Sequence, residues 1–474
     1  MPTLNPPMPW KLTLFSILHG TIGNVGDLLS TTAVTFEGSI KSYFNGTEVI
    51  DFTINEVWPS NTYSVFTISS ILGQIFMGIL YYWVVNRYGV KNSWIKVRHF
   101  CVVAGCLIML VARFTDSLEI AIFSQFVIGC SVFFSLPLLI HLSECAPFHK
   151  RASIILNTNT AYMTMTVLLL PLSATTELGN KQNWHIIYYI GIIFSLLYVF
   201  LTSRVIESPK QLYFTNPNYK KTEASILYYF GHTVNTEKVL DDYENELHMY
   251  KTRTHMSVKE MFERKSLRHL LYYVLVGDFT TRLSLTSIIF PYIQYILSYF
   301  EVIETNITTF MIGLQLIGLI ASMLSATVSE IFPRRNLVLA FTFISAISFK
   351  LIFIAFLFKT LNYSLLITST YVFISIFISF IVSNIGQCNI GSILITDMVP
   401  VHAKIAITQL ISIVSNIVLL FITLTFIPLL QLTGSALFLN YNLIMMACAY
   451  FMLKKLPETK NKLVHEIFEC YHEF

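Results

Sequence analysis

Apolar stretches of about 20 residues, the length of helix that crosses roughly 30 Å of hydrocarbon, recur along the whole 474-residue chain. No other feature limits its possible folds as strongly. Read by hydropathy they number twelve, at 10–35, 61–85, 99–115, 119–142, 153–175, 184–204, 269–298, 308–329, 336–358, 364–395, 405–430 and 433–453. Lipid offers no partners to backbone N–H and C=O groups, so each span is expected to be an α-helix. Charge is correspondingly scarce: 12% of residues are Asp, Glu, Lys or Arg, about half the share of an average soluble domain, and the mean hydropathy is +0.63. The expected class is an all-α polytopic membrane protein whose surroundings are the lipid bilayer. A net charge of +4 gives no reason to expect a nucleic-acid partner. The Pro-rich start, residues 1–9, runs into a stretch too long for a signal-peptide core, so the first span is expected to stay.

The one long polar segment, 207–268, separates spans six and seven. The expected division is a six-helix bundle at 1–204, a helical linker at 205–268, a second bundle at 269–453 and a tail at 454–474. Cations cluster in alternate loops: Arg87, Lys91, Lys96 and Arg98 after span two, Lys150 and Arg151 after four, Arg334 and Arg335 after eight, Lys404 after ten. The other loops carry Glu37, Glu48, Asp51, Glu56, Asp116, Glu119, Glu301 and Glu304. The positive-inside rule then places both termini and the linker in the cytoplasm. Sequons at Asn45, Asn306 and Asn362 all fall in loops assigned outside, where glycosylation is expected, and they favour the plasma membrane. The seven cysteines lie in spans or on the cytosolic side, so no disulfide is expected.

The two halves repeat. Glu144-x-x-Pro147-x-His149-x-Arg151 after span four matches Asp397-x-x-Pro400-x-His402-x-Lys404 after span ten, at a constant offset (397 − 144 = 253; 404 − 151 = 253). Glu207-Ser208-Pro209-Lys210 after span six matches Pro457-Glu458-Thr459-Lys460 after span twelve (458 − 207 = 251). Asn86-Arg87-Tyr88-Gly89 after span two faces Glu330 to Arg335 after span eight (330 − 86 = 244). Near-equal offsets at equivalent places indicate duplicated halves, and parallel six-helix repeats rocking about a midplane site are a transporter architecture.

These loops resemble the signature loops of the sugar porters of the major facilitator superfamily, and are similar to those of the animal facilitative glucose transporters. The sequon in Tyr43-Phe44-Asn45-Gly46-Thr47 and the approach to span seven, Ser257 to Leu271, share the likeness. The resemblance implies the major facilitator fold, a twelve-helix arrangement with a cavity lined by spans one, four, seven and ten. The charged loop residues Arg87, Glu144, Arg151, Glu207, Lys210, Glu330, Arg334, Arg335, Asp397 and Lys404 then form either a cytosolic gate pairing across the halves or solvated anchors of little energetic weight. Departures from the family pattern at Gln125, Tyr82, Val90, Ile331 and Pro333, where Arg or Gly is expected, thin the second-half gate.

Polar residues inside spans usually face the bundle interior, and they mark the candidate cargo site: Asn24, Asp27, Asn159, Asp278, Thr281, Arg282, Ser287, Asn384, Gln387, Asn389 and Asn416. By resemblance, the family's sugar contacts fall on Thr281, Arg282 and Ser287 in span seven, Asn159 in five, Gly318 in eight, Asn384 and Ser392 in ten, and Ser415-Asn416 in eleven. Most remain polar, but the stacking Trp is gone. Asp278 and Arg282 share one helix face at i and i+4, near the midplane, with Asp27 at similar depth in span one. They are either an internal pair that fixes packing or part of the site, Arg282 meeting an anionic or strongly polar cargo and Asp27 taking up a proton. His19 reads as a packed core residue, and Lys350 as a snorkelling lysine. No enzyme, metal or cofactor signature occurs. The expected function is a membrane transporter of a small polar solute, a hexose-like sugar foremost, by facilitative uniport. Proton symport, organic anion transport and a non-transporting sensor remain the alternatives.

Overall fold

In the computed structural model the described residues are 9–44, 65–169, 182–215, 218–231, 234–250, 256–302 and 304–460, with isolated positions 172, 178, 180, 462, 464 and 467. Asn45 lies outside them. All regular structure among them is helical, and it forms two six-helix bundles joined by short linker helices. Among the described residues, eight spans are long and apolar enough to cross a membrane: Val65–Tyr88, Val90–Phe114, Leu118–Glu144, Thr309–Ile331, Arg334–Thr360, Leu365–Ile385, Val401–Thr433 and Ala436–Lys455. Span five, Arg151–Leu169, and span six, Ile186–Thr202, are shorter. Spans one and seven are broken.

The breaks recur at equivalent places. Span one runs as Trp10–Gly20, a 3-10 turn Ile22–Asn24 and Val25–Phe44. Span four divides between Val132 and Ser135. Span seven stops at Arg282 and restarts under a Ser284 cap at Leu285–Ile289, after which Pro291 enforces another 3-10 turn. Span ten divides at Gly386, with the turn Gln387–Asn389 leading into Ile390–Met398. A broken helix frees backbone groups, which membranes tolerate only where protein or a watery cavity satisfies them. All four breaks sit at mid-depth around the seam between the bundles.

The seam is closed laterally by span two against span eleven and span five against span eight. Gln409 donates to the carbonyls of Gly78 (2.9 Å) and Ile79 (3.2 Å), and Thr160 to that of Ser322 (2.8 Å). The linker helices Pro209–Thr215, Tyr219–Phe230 and Thr236–Tyr250 bury Tyr213, Phe214, Ile226 and Tyr229 against the first bundle. Beyond them, the Met256 amide donates to the His402 carbonyl of the second bundle (2.9 Å). This side of the molecule is termed the linker face.

One expectation is corrected here. Arg98 does not belong to a loop after span two. Gly89, at φ +80, turns the chain within a single residue and span three begins at Val90, so Arg98 lies inside the bundle at 1% exposure.

Candidate functional site

In the first half, Asp27 stands just past the break of span one, on a half-buried polar face shared with Asn24, Ser30 and Thr31. Its carboxylate accepts from the Ser135 hydroxyl at the break of span four (2.7 and 2.9 Å) and from Arg98 Nη2 of span three (2.5 Å). The same Nη2 reaches Asn24 Oδ1 at 2.9 Å. Arg98 was read as a loop cation, yet it is what neutralises Asp27. Its depth could have been found by counting back from the apolar run 101–112, since a span of ordinary length must start near residue 90. Nearby His19 is fully buried and bonded to the Tyr198 hydroxyl, as a core histidine.

In the second half, Asp278 accepts from the Ser415 hydroxyl of span eleven and lies 3.6 Å from Arg282 Nε. It packs on the bare backbone of Gly391, where an added Cβ would sit 2.5 Å from Asp278 Oδ1. Asp27 and Asp278 are repeat equivalents, since 278 − 27 = 251, the offset that relates Glu207 to Glu458.

Several expected cargo residues are committed elsewhere. Thr281 donates to the Gln387 carbonyl (2.7 Å) and Gln387 to the Thr280 carbonyl (2.9 Å), tying the break of span seven to that of span ten, while Ser287 donates to the Thr281 carbonyl (2.9 Å) across the break of span seven itself. Asn384 bonds to the Phe380 carbonyl of its own helix (2.9 Å). Asn159 accepts from Cys388 across the seam (3.8 Å, sulfur donor). Asn159 Nδ2, Asn416 Oδ1 and Gln387 Oε1 are buried without a partner among the described residues, and a buried polar atom without a partner calls for water or ligand.

Among the described residues, two ion pairs cross the seam at the linker face. Glu144 of span four meets Lys404 of span eleven at 3.0 Å, both nearly fully buried, and Glu330 of span eight meets Lys150 at 2.8 Å with Ser153 at 2.7 Å. Lys210 pairs with Glu246 of the linker (2.7 Å), which also accepts from the Val401 amide at the start of span eleven (3.3 Å). Burial works against the charge of Glu246, but Lys210, then Lys404 and Arg151, hold it below the ordinary carboxylate range. Burial pulls Lys210 down to about 8, against Glu246; the pair is ionised at neutral pH. Nothing in the polar segment 207–268 singles out Glu246, because its insertion depends on how helix Thr236–Tyr250 docks.

Other expected gate residues stay within one half. Asp397 is held by Arg334 (3.9 Å) and Thr459 (3.2 Å), and Glu458 accepts from the backbone amides of Arg334 (2.9 Å) and Arg335 (3.2 Å). Arg87 is exposed over the Trp83 ring at 6.0 Å and joins no ion pair among the described residues. Glu207 lies 3.9 Å from His141, and burial pushes its carboxyl up to about 7 despite Lys91. On the opposite face Asn362 is exposed in the turn after span nine, and Asn306 falls in the first turn of helix Glu304–Ile331.

Two duplicated six-helix bundles, packed along a lateral seam, joined by ion pairs at one face and carrying polar groups at mid-depth, define a membrane transporter of the major facilitator type. Residues 20–471 match the Sugar (and other) transporter family, and the chain belongs to it. It is 22% identical to the mouse solute carrier family 2, facilitated glucose transporter member 7, over 96% of this chain and 88% of that protein. It is 21% identical to the sugar transporter ERD6 of Arabidopsis thaliana, over 85% and 78%. Among solved structures, the proton:xylose symporter XylE bound to 6-bromo-6-deoxy-D-glucose superposes with a TM-score of 0.77 at 17% identity, covering 97% of this chain and 99% of that one. The inward-open conformation of XylE from E. coli gives 0.65 at 16% identity, over 97% and 99%. The relatives are transporters, not enzymes.

Proposed function

We propose that the chain carries a hexose-like sugar across the plasma membrane by alternating access, as a uniporter. The linker face and both termini are cytosolic in this reading, Asn45, Asn306 and Asn362 are glycosylated outside, and 205–268 is a linker between bundles 1–204 and 269–453. The observation that carries it is the pairing of both midplane acids: Asp27 with Arg98 at 2.5 Å and Asp278 with Arg282 at 3.6 Å. Each midplane carboxylate among the described residues faces a cation, and in this reading these pairs persist through the cycle while the sugar moves without a proton. The latches Glu144–Lys404 and Glu330–Lys150 support a state closed to the cytosol; breaking them opens the other side.

Uptake of labelled sugars into proteoliposomes, with and without an imposed proton gradient, is the test. The expected result is saturable flux of a sugar that is indifferent to the gradient. Flux that requires the gradient replaces uniport by symport. Absence of flux across a broad panel of sugars favours a transporter-derived sensor, a reading to which the unpaired Arg87 and the half-confined Asp397 lend some support.

A further inference from the structure

We infer that the cargo is an anionic sugar, a polyol bearing a single carboxylate, and that Arg282 selects it; this rests on the sugar-transport reading above. The reasoning starts from a contrast between two arginines. Arg98 is 1% exposed, and its Nη2 meets Asn24, Asp27 and Ser135. It is enclosed behind the polar face of span one, and although its Nε and Nη1 have no partner among the described residues, they are sealed from a ligand. Arg282 ends the 18-residue helix Lys265–Arg282, about 27 Å from its start at 1.5 Å per residue, yet a third of its side chain (33%) is exposed.

Asp278, one turn earlier on the same face, is fixed from behind by Ser415 and Gly391. It approaches the guanidinium at Nε, 3.6 Å away and without a hydrogen bond, so it acts as an orienting charge. The Nη1 and Nη2 atoms have no acceptor among the described residues. The hydroxyls beside them are engaged: Thr281 with the Gln387 carbonyl, Ser287 with the Thr281 carbonyl, Thr286 with Ser379. The fork of Arg282 is therefore the foremost free donor that span seven presents at mid-depth. A planar fork matches a carboxylate with two parallel charge-assisted bonds, where a sugar hydroxyl takes one. The Asp278–Arg282 pair is neutral overall, so a monoanion leaves one net negative charge at the site and a phosphate dianion two, which a low-dielectric interior opposes more strongly. A sugar carboxylate, a hexuronate or aldonate, fits; a sugar phosphate does not.

The full-length protein in proteoliposomes is given labelled glucuronate and glucose side by side at pH 7, as wild type, Arg282→Gln and Arg282→Lys. Thermal unfolding in detergent with each sugar is measured in parallel. Wild type is expected to prefer glucuronate, with uptake accelerated by an inside-positive potential because a net negative charge enters. Arg282→Gln is expected to lower the glucuronate-to-glucose ratio roughly 10- to 100-fold, the worth of a charge-assisted contact, and to abolish the thermal shift given by glucuronate. Arg282→Lys, which keeps the charge without the fork, is expected to fall between. Glucose flux in wild type with no flux, inhibition or thermal shift from glucuronate overturns the inference and leaves sugar transport standing, as does an unchanged ratio in Arg282→Gln. Equal inhibition by glucose 6-phosphate overturns the choice of carboxylate. If neither sugar moves or shifts the melting, the sugar reading itself falls, and the inference with it.

Discussion

The two halves place acids at the same positions and then satisfy them differently. Asp27 is neutralised by an arginine from a neighbouring helix, enclosed at 1% exposure, whereas Asp278 is met by an arginine one turn along its own helix, a third exposed. Glu144 crosses the seam to Lys404, whereas its counterpart Asp397 stays with Arg334 and Thr459 in its own half. Glu207 lies 3.9 Å from His141 and is joined by no Lys or Arg ion pair among the described residues, while Glu458 caps the start of span nine by accepting from successive backbone amides. Duplication fixed the depth at which charge is needed; each half then found its own partner. The first half encloses the cation that meets its midplane acid, and the second leaves its own a third exposed.

That contrast is broken most directly by exchanging the arginines for neutral residues. Removing one member of a buried pair leaves an uncompensated charge and costs about 3–5 kcal/mol. Both arginines leave a carboxylate behind, but Arg98 is enclosed and also bonded to Asn24, whereas Arg282 is a third exposed, so its loss opens the buried Asp278 to solvent. Arg98→Met is therefore expected to destabilise the detergent-solubilised protein severely, and Arg282→Gln less, as read from thermal unfolding. Equal losses would mean that both pairs are structural and that the halves do not differ. Adding Asp27→Asn to Arg98→Met is expected to recover part of the loss, since the stranded carboxylate goes with it.

A second effect, smaller, sharpens the same point. Gly391→Ala places a Cβ 2.5 Å from Asp278 Oδ1, and an intruding methyl in a packed site costs about 1–3 kcal/mol. Because Asp278 orients Arg282, the variant is expected to impair cargo uptake beyond its effect on melting temperature. Uptake that falls only in step with melting would reduce Gly391 to a packing residue.

The fold was legible because lipid imposes a single length and a single secondary structure on every span, so hydropathy and the offsets of 251 and 253 locate twelve helices in two repeats. Side-chain partners were legible only where they lie on one helix, as Asp278 and Arg282 do. Arg98 was misplaced because a cation directly before the apolar run that starts at 99 reads as the end of the loop unless the turn at Gly89 is known. Glu246 was missed because nothing in a mixed-charge linker marks which acid will be buried. Thr281, Ser287 and Gln387 are polar and at the right depth, but their bonds across the breaks of spans seven and ten depend on tertiary contact that no spacing encodes.

The smallest expected effect concerns the linker face and the pair Glu207 and Glu458. Burial raises Glu207 from 4.5 to about 7, so the folded protein holds a proton there that the unfolded chain releases at lower pH. The stabilisation is complete below about 4.5, is lost as the pH rises to about 7, and is flat beyond. Glu207→Gln cannot titrate, so the difference in melting temperature between wild type and this variant is expected to slope across pH 5 to 7 and level off above it. Glu458→Gln removes a carboxylate that accepts from the amides of Arg334, Arg335 and Lys460 at the positive end of a helix. That variant is expected to melt lower by a similar amount throughout the same window. If Glu458→Gln gave the slope and Glu207→Gln the constant offset, the division of labour between the halves would be reversed at this face.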